Sequence, residues 1–507
     1  MKSALWAALL ASHLVSADWQ FRSRPDLSAP RLNITVSADS AAVESGLIFV
    51  APYHGNAEGS SGPLQPGAYI FRDDGELIWS GVGHFGGWIA NFRPDMWQGK
   101  PVLRAFEGLL DAVHVSCHEF RVLDNGNVLV ETPVAIPTNL SRWGGHDDQN
   151  WIVSSGFQEI NIETGELVFE WYSFDHVDPK YSALPLTQSG PLNAHNSNDA
   201  WNYFHINSVD KDDNGDYLIS GRHYNAIFKI DGKTGNIIWQ LGGSHGSNFS
   251  IPDNIYFAFQ HDARFVSRSS TSNSEVISFF DNAAHSERGR EISSFSRARI
   301  VRLDHLTGEA IEVHTYPAPD NLVAHSQGNA QVLPSANVFV NWGEAGAITE
   351  FAENGKVLFH AYLDSDPVGR FVQSYRGFRF NWTGIPSEEP AIVALRSNGS
   401  QGAGLSIYVS WNGDTETGAW RFYHERSLDN ASSRRLLGEA KRTSFETVFH
   451  LDLSLVHNQG AGGGFSAEAI DSQGNVLVRT RTTLGQADIW HPSAVAKPLE
   501  GLYKQSL

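Results

Sequence analysis

Cysteine is almost missing: the 507-residue chain has one, Cys117. A single thiol excludes a disulfide scaffold and any Cys-rich zinc site. Basic residues are also scarce, with 37 Lys+Arg against 56 Asp+Glu and a net charge of −19. Phosphate neutralisation needs clustered Lys and Arg, so no nucleic-acid partner is expected. Beyond the first residues, no stretch approaches the ~18 continuous apolar residues of a membrane helix, and no membrane span is expected. Helical periodicity is rare. No Gly-x-x-x-x-Gly-Lys-Ser/Thr loop is present to cradle a nucleotide phosphate. A hydrolase nucleophile elbow of the Gly-x-Ser-x-Gly kind is not expected either. Gly460 to Gly464 lacks the strand-loop-helix context of a dinucleotide site. Asp210-x-Asp212-x-Asn214-Gly215 begins like a calcium loop, but Gly221 stands where the bidentate Glu belongs. That segment reads as a solvated acidic hairpin turn.

The N-terminus, Met1 to Ala17, reads as a secretory leader. Lys2 supplies the positive start, Ala4 to Leu14 the apolar stretch, and Val15-Ser16-Ala17 the small residues before a cleavage site. Cleavage is expected after Ala17. Six Asn-x-Ser/Thr sequons follow, at Asn33, Asn139, Asn248, Asn381, Asn398 and Asn430. Leader and sequons together predict a secreted glycoprotein, or one held in the lumen of the secretory pathway. Cys117 is then expected to be buried and inert.

What fills the chain is short strands and turns. Apolar and β-branched runs of four to eight residues alternate with Gly, Asn and Asp. One turn pattern precedes a run that ends in an aromatic: Asp74 to Trp79, Thr164 to Phe169, Thr234 to Trp239 and Asn354 to Phe359. A second recurs at Asp124 to Val130, Asn214 to Ile219, Pro334 to Val340 and Gln473 to Val478. Asn-Gly and Asp-Gly supply the positive φ that tight hairpin turns need. Hairpins repeating every ~40–50 residues fit the blades of a β-propeller better than a pair of sandwiches. The irregular spacing implies insertions. Near residue 385 the composition changes, and Pro386 to Pro390 reads as a linker. The predicted organisation is a leader over 1–17, a propeller over 18–385 and a smaller β-rich C-terminal region over 386–507.

Of the 21 His, four neighbourhoods place one among strand residues with polar partners. They are Cys117 to Phe120, Phe204 to Val209, Ser220 to Tyr224 and Phe259 to Arg264. His205 and Asn207 are two apart, which on a strand puts both on one face. Imidazoles, an amide and a guanidinium converging on a propeller channel could hold a metal. They could instead grip an oxyanion, with Arg222 as the fork. Arg222 favours the anion, because it repels a cation.

These residues resemble the arylsulfotransferase family, in its fungal secreted branch. The resemblance runs through most of residues 65–450. It is carried by Gly67 to Ile70, His118-Glu119-Phe120, Phe157 to Ile160 with Thr164 to Leu167, and Phe204 to Val209. Leu218 to Arg222, Phe228 to Asp231, Ile238 to Gly243, Phe259 to Arg264, Phe280-Asp281-Asn282, Ser326 to Asn329 and Ser410 to Gly413 extend it. The resemblance implies an all-β, six-bladed propeller. It also implies transfer of a sulfuryl group from an aryl sulfate to a phenol without a nucleotide donor, metal or other cofactor. Matched motif by motif, His261 falls at the nucleophile's position. His118, His205 and Arg222 fall where sulfate oxygens are gripped and the leaving phenol is assisted. Asn207, His223 and Asn282 are expected to contact the substrate, a small aromatic molecule. Against the family pattern, Asn202 replaces an Asp and Ala283 replaces a Gly, and the stretch between Glu107 and His118 is short.

The residue types suit that chemistry. A neutral imidazole is a competent nucleophile near neutral pH. Arg222 and the remaining His can stabilise charge on sulfuryl oxygens and on a departing phenolate. Two other functions fit the sequence. One is a propeller isomerase or cyclase in a fungal secondary-metabolite pathway. The other is a non-catalytic small-molecule-binding propeller.

Overall fold

The computed structural model describes residues 18–55, 63–85, 88–108, 116–187, 193–267, 273–286, 290–363, 372–399, 402–425, 434–452 and 463–487. The leader 1–17, the Asn430 sequon, most of the short 107–118 stretch and the start of the 460–464 turn lie outside them. The chain divides into two compact units, 1–20 with 27–382 and 21–26 with 383–507.

The larger unit is a succession of small antiparallel sheets. The first joins Leu47–His54, Tyr69–Phe71 and Leu77–Ser80 to the late strand Val372–Phe380. The second is a hairpin of Trp88–Trp97 and Lys100–Gly108. The third contains Phe120–Val122, Asn127–Glu131, Gly156–Asn161 and Leu167–Tyr172, with an extra hairpin, Val134–Pro137 and Trp151–Ser154, inserted between its middle strands. The fourth runs through Ile206–Lys211, Tyr217–Gly221, Ala226–Ile230 and Ile237–Gly242. The fifth holds His261–Ser267, Ser274–Asp281, Arg297–Asp304 and Glu309–Pro317. The sixth holds Asn329–Val332, Val338–Asn341, Ala347–Phe351 and Val357–Tyr362, and Asn33–Val36 adds to its edge.

The fourth and fifth sheets are covered on both faces, which is why their strands read as apolar runs rather than alternations. One cluster sets Leu129, Phe157 and Trp171 of the third sheet against Ile219 and Phe228 of the fourth. The next sets Leu218 and Leu241 against Phe279 and Val301 of the fifth. Another sets Phe280 and Tyr316 against Val340 and Trp342 of the sixth. Phe49 and Ile70 of the first sheet meet Ile89 and Phe92 of the second.

The turns follow the sequence signals closely. Asp231 Oδ1 accepts from the N–H groups of Lys233 and Thr234 at 2.9 and 2.7 Å, and Gly235 follows at φ +74°. Asn161 and Asp304 build the same turn ahead of Gly165 and Gly308. The acidic turn at Asp212 is not merely solvated. Lys229 Nζ lies 2.8 Å from its Oδ2 and occupies the place a cation would take.

The smaller unit packs two four-stranded sheets face to face. One holds Ala391–Gly399, Gly402–Ser410, Glu446–Asp452 and the parallel strand Gly485–Ala487. The other holds Ala419–Glu425, Arg434–Lys441, Gly464–Ile470 and Val476–Arg479. Leu405, Ile407, Trp420 and Phe422 form their common core. The segment 21–26 belongs here because the Phe21 ring packs at a tilt against Phe445, centres 4.5 Å apart, and Ser23 Oγ donates to Glu446 at 2.6 Å.

Ala283 has φ +57°, a left-handed conformation that costs an L-residue about 1 kcal/mol or more. That is the physical reason a glycine suits the position. Ala283→Gly is expected to raise stability by roughly 0.5–1 kcal/mol in denaturant titration. An unchanged or lower midpoint would contradict this account.

Candidate functional site

The polar residues gather where the leading strands of the sheets begin. His118 stands two residues before Phe120–Val122, His205 one before Ile206–Lys211, and His261 opens His261–Ser267. Arg222 and His223 occupy the one-turn 3-10 helix after Tyr217–Gly221. The rings of His118 and His205 meet edge to face at 4.6 Å, and those of His205 and His223 stack at 4.5 Å. His285 continues the row, 5.5 Å from His223.

His261 is 2% exposed, and its tautomer is fixed by its neighbours. Asn282 Nδ2 donates to the carbonyls of Ala324 and Gln327 at 2.9 and 3.0 Å. Its Oδ1 therefore faces His261 Nδ1, at 2.7 Å, and accepts from it. The proton sits on Nδ1 and the lone pair on Nε2. Among the described residues only the backbone N–H of Gln327 reaches Nε2, at 3.2 Å. Burial, reinforced by Arg222, pushes the pKa of His261 well down and keeps the ring neutral.

Gln327 reaches this position because Gly343 has no side chain. A Cβ on Gly343 would come within 2.6–2.7 Å of backbone atoms of Ser326, Gln327 and Gly328, and its φ is +51°. Gln327 itself sits at φ +65°, and His205, Asp262 and Phe259 are left-handed too. Strained backbone of this kind concentrates at functional sites.

Arg222 is buried. Its Nη2 donates to the carbonyl of His325 and its Nη1 to His223 Nε2, both at 2.8 Å, while its Nε has no partner among the described residues. His223 Nδ1 in turn donates to the carbonyl of Asn202 at 2.7 Å. Burial and Arg222 hold the pKa of His223 well below its ordinary value. Burial and the surrounding His223, His118 and Arg222 do the same for His205. The amide of Asn202 lies 2.9 Å from His205 Nδ1 and brings no charge to oppose that shift.

His118 behaves in the opposite way. Burial disfavours its charge, but Cys117 and Glu131 beside its Nδ1 outweigh burial and raise its pKa. Glu131 Oε2 is 3.2 Å away. His118 is therefore the proton-carrying member of the set, and His205, His223 and His261 are the neutral ones.

The structure corrects the expected pairing of His205 with Asn207. His205 precedes its strand at φ +58°, so the two-residue alternation does not begin there. The side chain of Asn207 instead donates to the carbonyl of Gln260 at 2.7 Å, and its backbone carbonyl accepts from Arg376. Asn282 lies behind His261 and orients it. Cys117 is buried as expected, yet it lies beside His118, with Sγ 4.0 Å from Nδ1. Sequence reasoning missed Tyr375, whose buried hydroxyl has no partner among the described residues and whose ring is 5.7 Å from that of His118. It missed His285 as well. Only polar residues inside an apolar run, Ser374 to Arg376, hinted at Tyr375.

Beneath the histidines lies a buried ion cluster. Glu119 pairs with Arg264 at 2.6 Å, and Asp262 pairs with Arg264 and Arg376 at 2.7 and 3.3 Å. Among the described residues no three His, Cys, Asp or Glu side chains converge as a metal site requires. Gly242-Gly243-Ser244-His245-Gly246 does spell the hydrolase pattern thought missing. Ser244 is exposed on a turn, with its hydroxyl donating to the Tyr181 carbonyl at 3.2 Å. The strand-turn-helix setting of an elbow is not there. Among the sequons, Asn139, Asn248 and Asn381 are exposed and Asn33 is half-buried. Asn398 lies in a strand whose side chains at that point are outside the described set.

The family model described as Arylsulfotransferase (ASST) matches residues 104–363, just over half of the chain. No curated protein matches. Among solved structures, a Bacteroides caccae protein of unknown function is similar at 12% identity and TM-score 0.35, covering 67% of this chain and 100% of that one. Virginiamycin B lyase from Staphylococcus aureus is similar at 11% identity and TM-score 0.25, covering 73% and 87%. AztD from Citrobacter koseri is similar at 8% identity and TM-score 0.27, covering 68% and 100%. None of the three likenesses bears on the chemistry. No helix among the described residues is long and apolar enough to cross a membrane.

Two outcomes follow from these protonation states. His205, His223 and His261 have depressed pKa values when folded, so unfolding below about pH 6.5 takes up protons. Stability should fall as pH falls from 6.5 to 5, by up to about 4 kcal/mol per pH unit if all three contribute. A melting temperature that stays flat over that range would refute the assignment. Asn202→Asp should raise the pKa of His205 by about one unit or more, followed by NMR of its ring proton.

Proposed function

The chain belongs to the arylsulfotransferase (ASST) family, and we propose that it transfers a sulfuryl group from an aryl sulfate to a phenolic acceptor through His261. The observation that carries this reading is the Asn282–His261 contact at 2.7 Å. It holds the proton on Nδ1 and turns a lone pair out on Nε2, the arrangement a nitrogen nucleophile needs. In the first half-reaction Nε2 attacks sulfur and the bond from sulfur to the aryl oxygen breaks. The leaving phenolate takes the proton of His118, whose raised pKa keeps it charged. In the second, the acceptor phenol gives its proton to His118 while its oxygen attacks sulfur, and the N–S bond breaks. Atoms and protons balance over the cycle.

Arg222 is placed to meet the charge on the sulfuryl oxygens. Its Nε has no partner among the described residues, the neutral His205 ring can add a donor without competing charge, and His223, whose Nε2 accepts from Nη1, holds the guanidinium in place. The Gln327 N–H contact to Nε2 must open for attack. At 3.2 Å it is among the longer hydrogen bonds at the site.

The scaffold of this proposal is a six-bladed propeller. Its blades are the six sheets of the larger unit, the second of them reduced to a hairpin. Secretion after removal of residues 1–17, with glycans on the exposed sequons, fits the same reading. One observation favours a second reaction class. Charged His118 and the unpartnered Tyr375 hydroxyl form an acid pair that would also serve an isomerase or cyclase acting on an aromatic molecule.

The deciding assay supplies 4-nitrophenyl sulfate with a panel of phenols and follows 4-nitrophenol release. Acceptor-dependent release by the wild type is expected, with a loss of at least a thousandfold in His261→Ala (on the order of 4 kcal/mol). Release that survives His261→Ala would overturn the nucleophile. Absence of release from folded protein with every acceptor would favour the second class.

A further inference from the structure

A second polar site lies on the far side of the Glu119–Arg264 cluster. A cavity of about 470 Å³ opens there, lined among others by Arg93, Arg121, Arg264, Val332, Leu333 and Phe378. Its wall includes Phe265, four residues along the strand that His261 opens, about 13 Å from it at the rise of an extended chain. None of the site histidines lines it. Its volume falls within the range of small-molecule sites.

The arginines around it are not equivalent. Arg121 pairs with Asp210 at 2.6 Å, and Arg264 with Glu119 and Asp262. Arg93 has no hydrogen bond or ion pair among the described residues, and its Nε is buried without a partner. Its guanidinium lies 5.2 and 4.8 Å from the ring centres of Phe378 and Phe380. Asp95, two residues along its own strand, is held by Arg104 at 2.6 Å. Burial, with Arg104 and Arg121 nearby, disfavours the charge on Arg93. A half-buried cation without a counter-ion of its own is costly. Here it faces a cavity whose acids, Asp210 and Asp262, are already paired with Arg121 and Arg264.

We propose that this cavity binds a small organic monoanion, with its acid group on Arg93 and its apolar body against Val332, Leu333 and Phe378. A monoanion is specified because the neighbouring arginines already have acids of their own, so one positive charge is left over. Arginine suits a carboxylate, sulfonate or sulfate ester through its planar fork. The apolar wall favours an aromatic body over a bare inorganic ion. The site is independent of the sulfotransferase reading.

The test is calorimetric titration of the full chain with naphthalene-2-sulfonate, beside 2-naphthol and inorganic sulfate. Two binding events are expected for the sulfonate. Arg93→Gln should weaken one of them at least tenfold without lowering the melting temperature of the free protein, since a lone half-buried charge is removed. Val332→Trp, which fills the cavity and leaves the charges intact, should weaken the same event. Arg222→Gln should affect only the other. The proposal falls if Arg93→Gln and Val332→Trp leave both events unchanged, if only one event is seen and it depends on Arg222, or if 2-naphthol binds as tightly as the sulfonate. It falls too if Arg93→Gln lowers the melting temperature by several degrees, which would mark Arg93 as a structural residue.

Discussion

The ion cluster of Glu119, Asp262, Arg264 and Arg376 is the constraint on which the rest of the larger unit depends. Arg264 donates to the carbonyl of Val209 at 2.9 Å, and Val209 donates to Glu119 at 3.0 Å, which ties the approach to the third sheet to the fourth and fifth. Asp262 accepts from the N–H of Ala330 in the sixth, at 3.3 Å. Arg376, from the late strand of the first sheet, donates to the carbonyl of Asn207 at 2.7 Å. Five sheets meet in one polar knot, in which Glu119, Asp262 and Arg376 are buried and Arg264 reaches the edge of the cavity. Losing a single partner from such a cluster typically costs about 3–5 kcal/mol, because the remaining charge has no water to turn to. Burial would push the Glu119 carboxyl up, but Arg264 and Arg376 hold it well below the usual carboxylate range.

That knot explains the character of the histidine cluster above it. The leading strands are fixed in register by charges, so the residues that open them are held close together. The backbone there can be strained, as the left-handed His205, Asp262 and Gln327 show. A loop fixed only by apolar packing would relax away from such angles, at a gain of about 1–3 kcal/mol each. Rigid placement also makes neutral imidazoles possible. His205 and His223 stack at 4.5 Å and Arg222 lies against His223, an arrangement that excludes a second positive charge. Cys117 and Glu131 then make His118 the exception. One charged and three neutral imidazoles arise because these two groups raise the pKa of His118 while burial and Arg222 lower the others.

Much of this was legible in the sequence, and for local reasons. The Thr-Gly and Asn-Gly turns are set by short-range hydrogen bonds and positive φ, so Thr234-Gly235 and Asn214-Gly215 announce hairpins directly. The candidate residues His118, His205, Arg222 and His261 come from the family motifs, and the fold brings them close together. The alternation argument for His205 and Asn207 failed because strand geometry begins one residue later than the motif does. Arg376 and Tyr375 were invisible for a different reason. They lie more than a hundred residues from their partners, on a strand that pairs with the start of the chain, and nothing local marks them. The two departures from the family pattern, Asn202 and Ala283, become intelligible only with coordinates. One sets the charge state of a ring, and the other occupies a left-handed turn.

The second sheet shows how little of a propeller-like scaffold a site requires. Among the described residues it holds one hairpin, Trp88–Trp97 and Lys100–Gly108, where its neighbours have four strands. Yet Asn91, on its first strand, donates to the carbonyl of Cys117 at 2.7 Å and so fixes the residue before His118. The same strand carries Arg93 to the far cavity. Its first strand suffices to hold both places, because their geometry is set by the polar knot and its neighbours. Further strands would add apolar burial, and therefore stability, without touching either. A two-stranded sheet at this position is thus compatible with an intact histidine cluster.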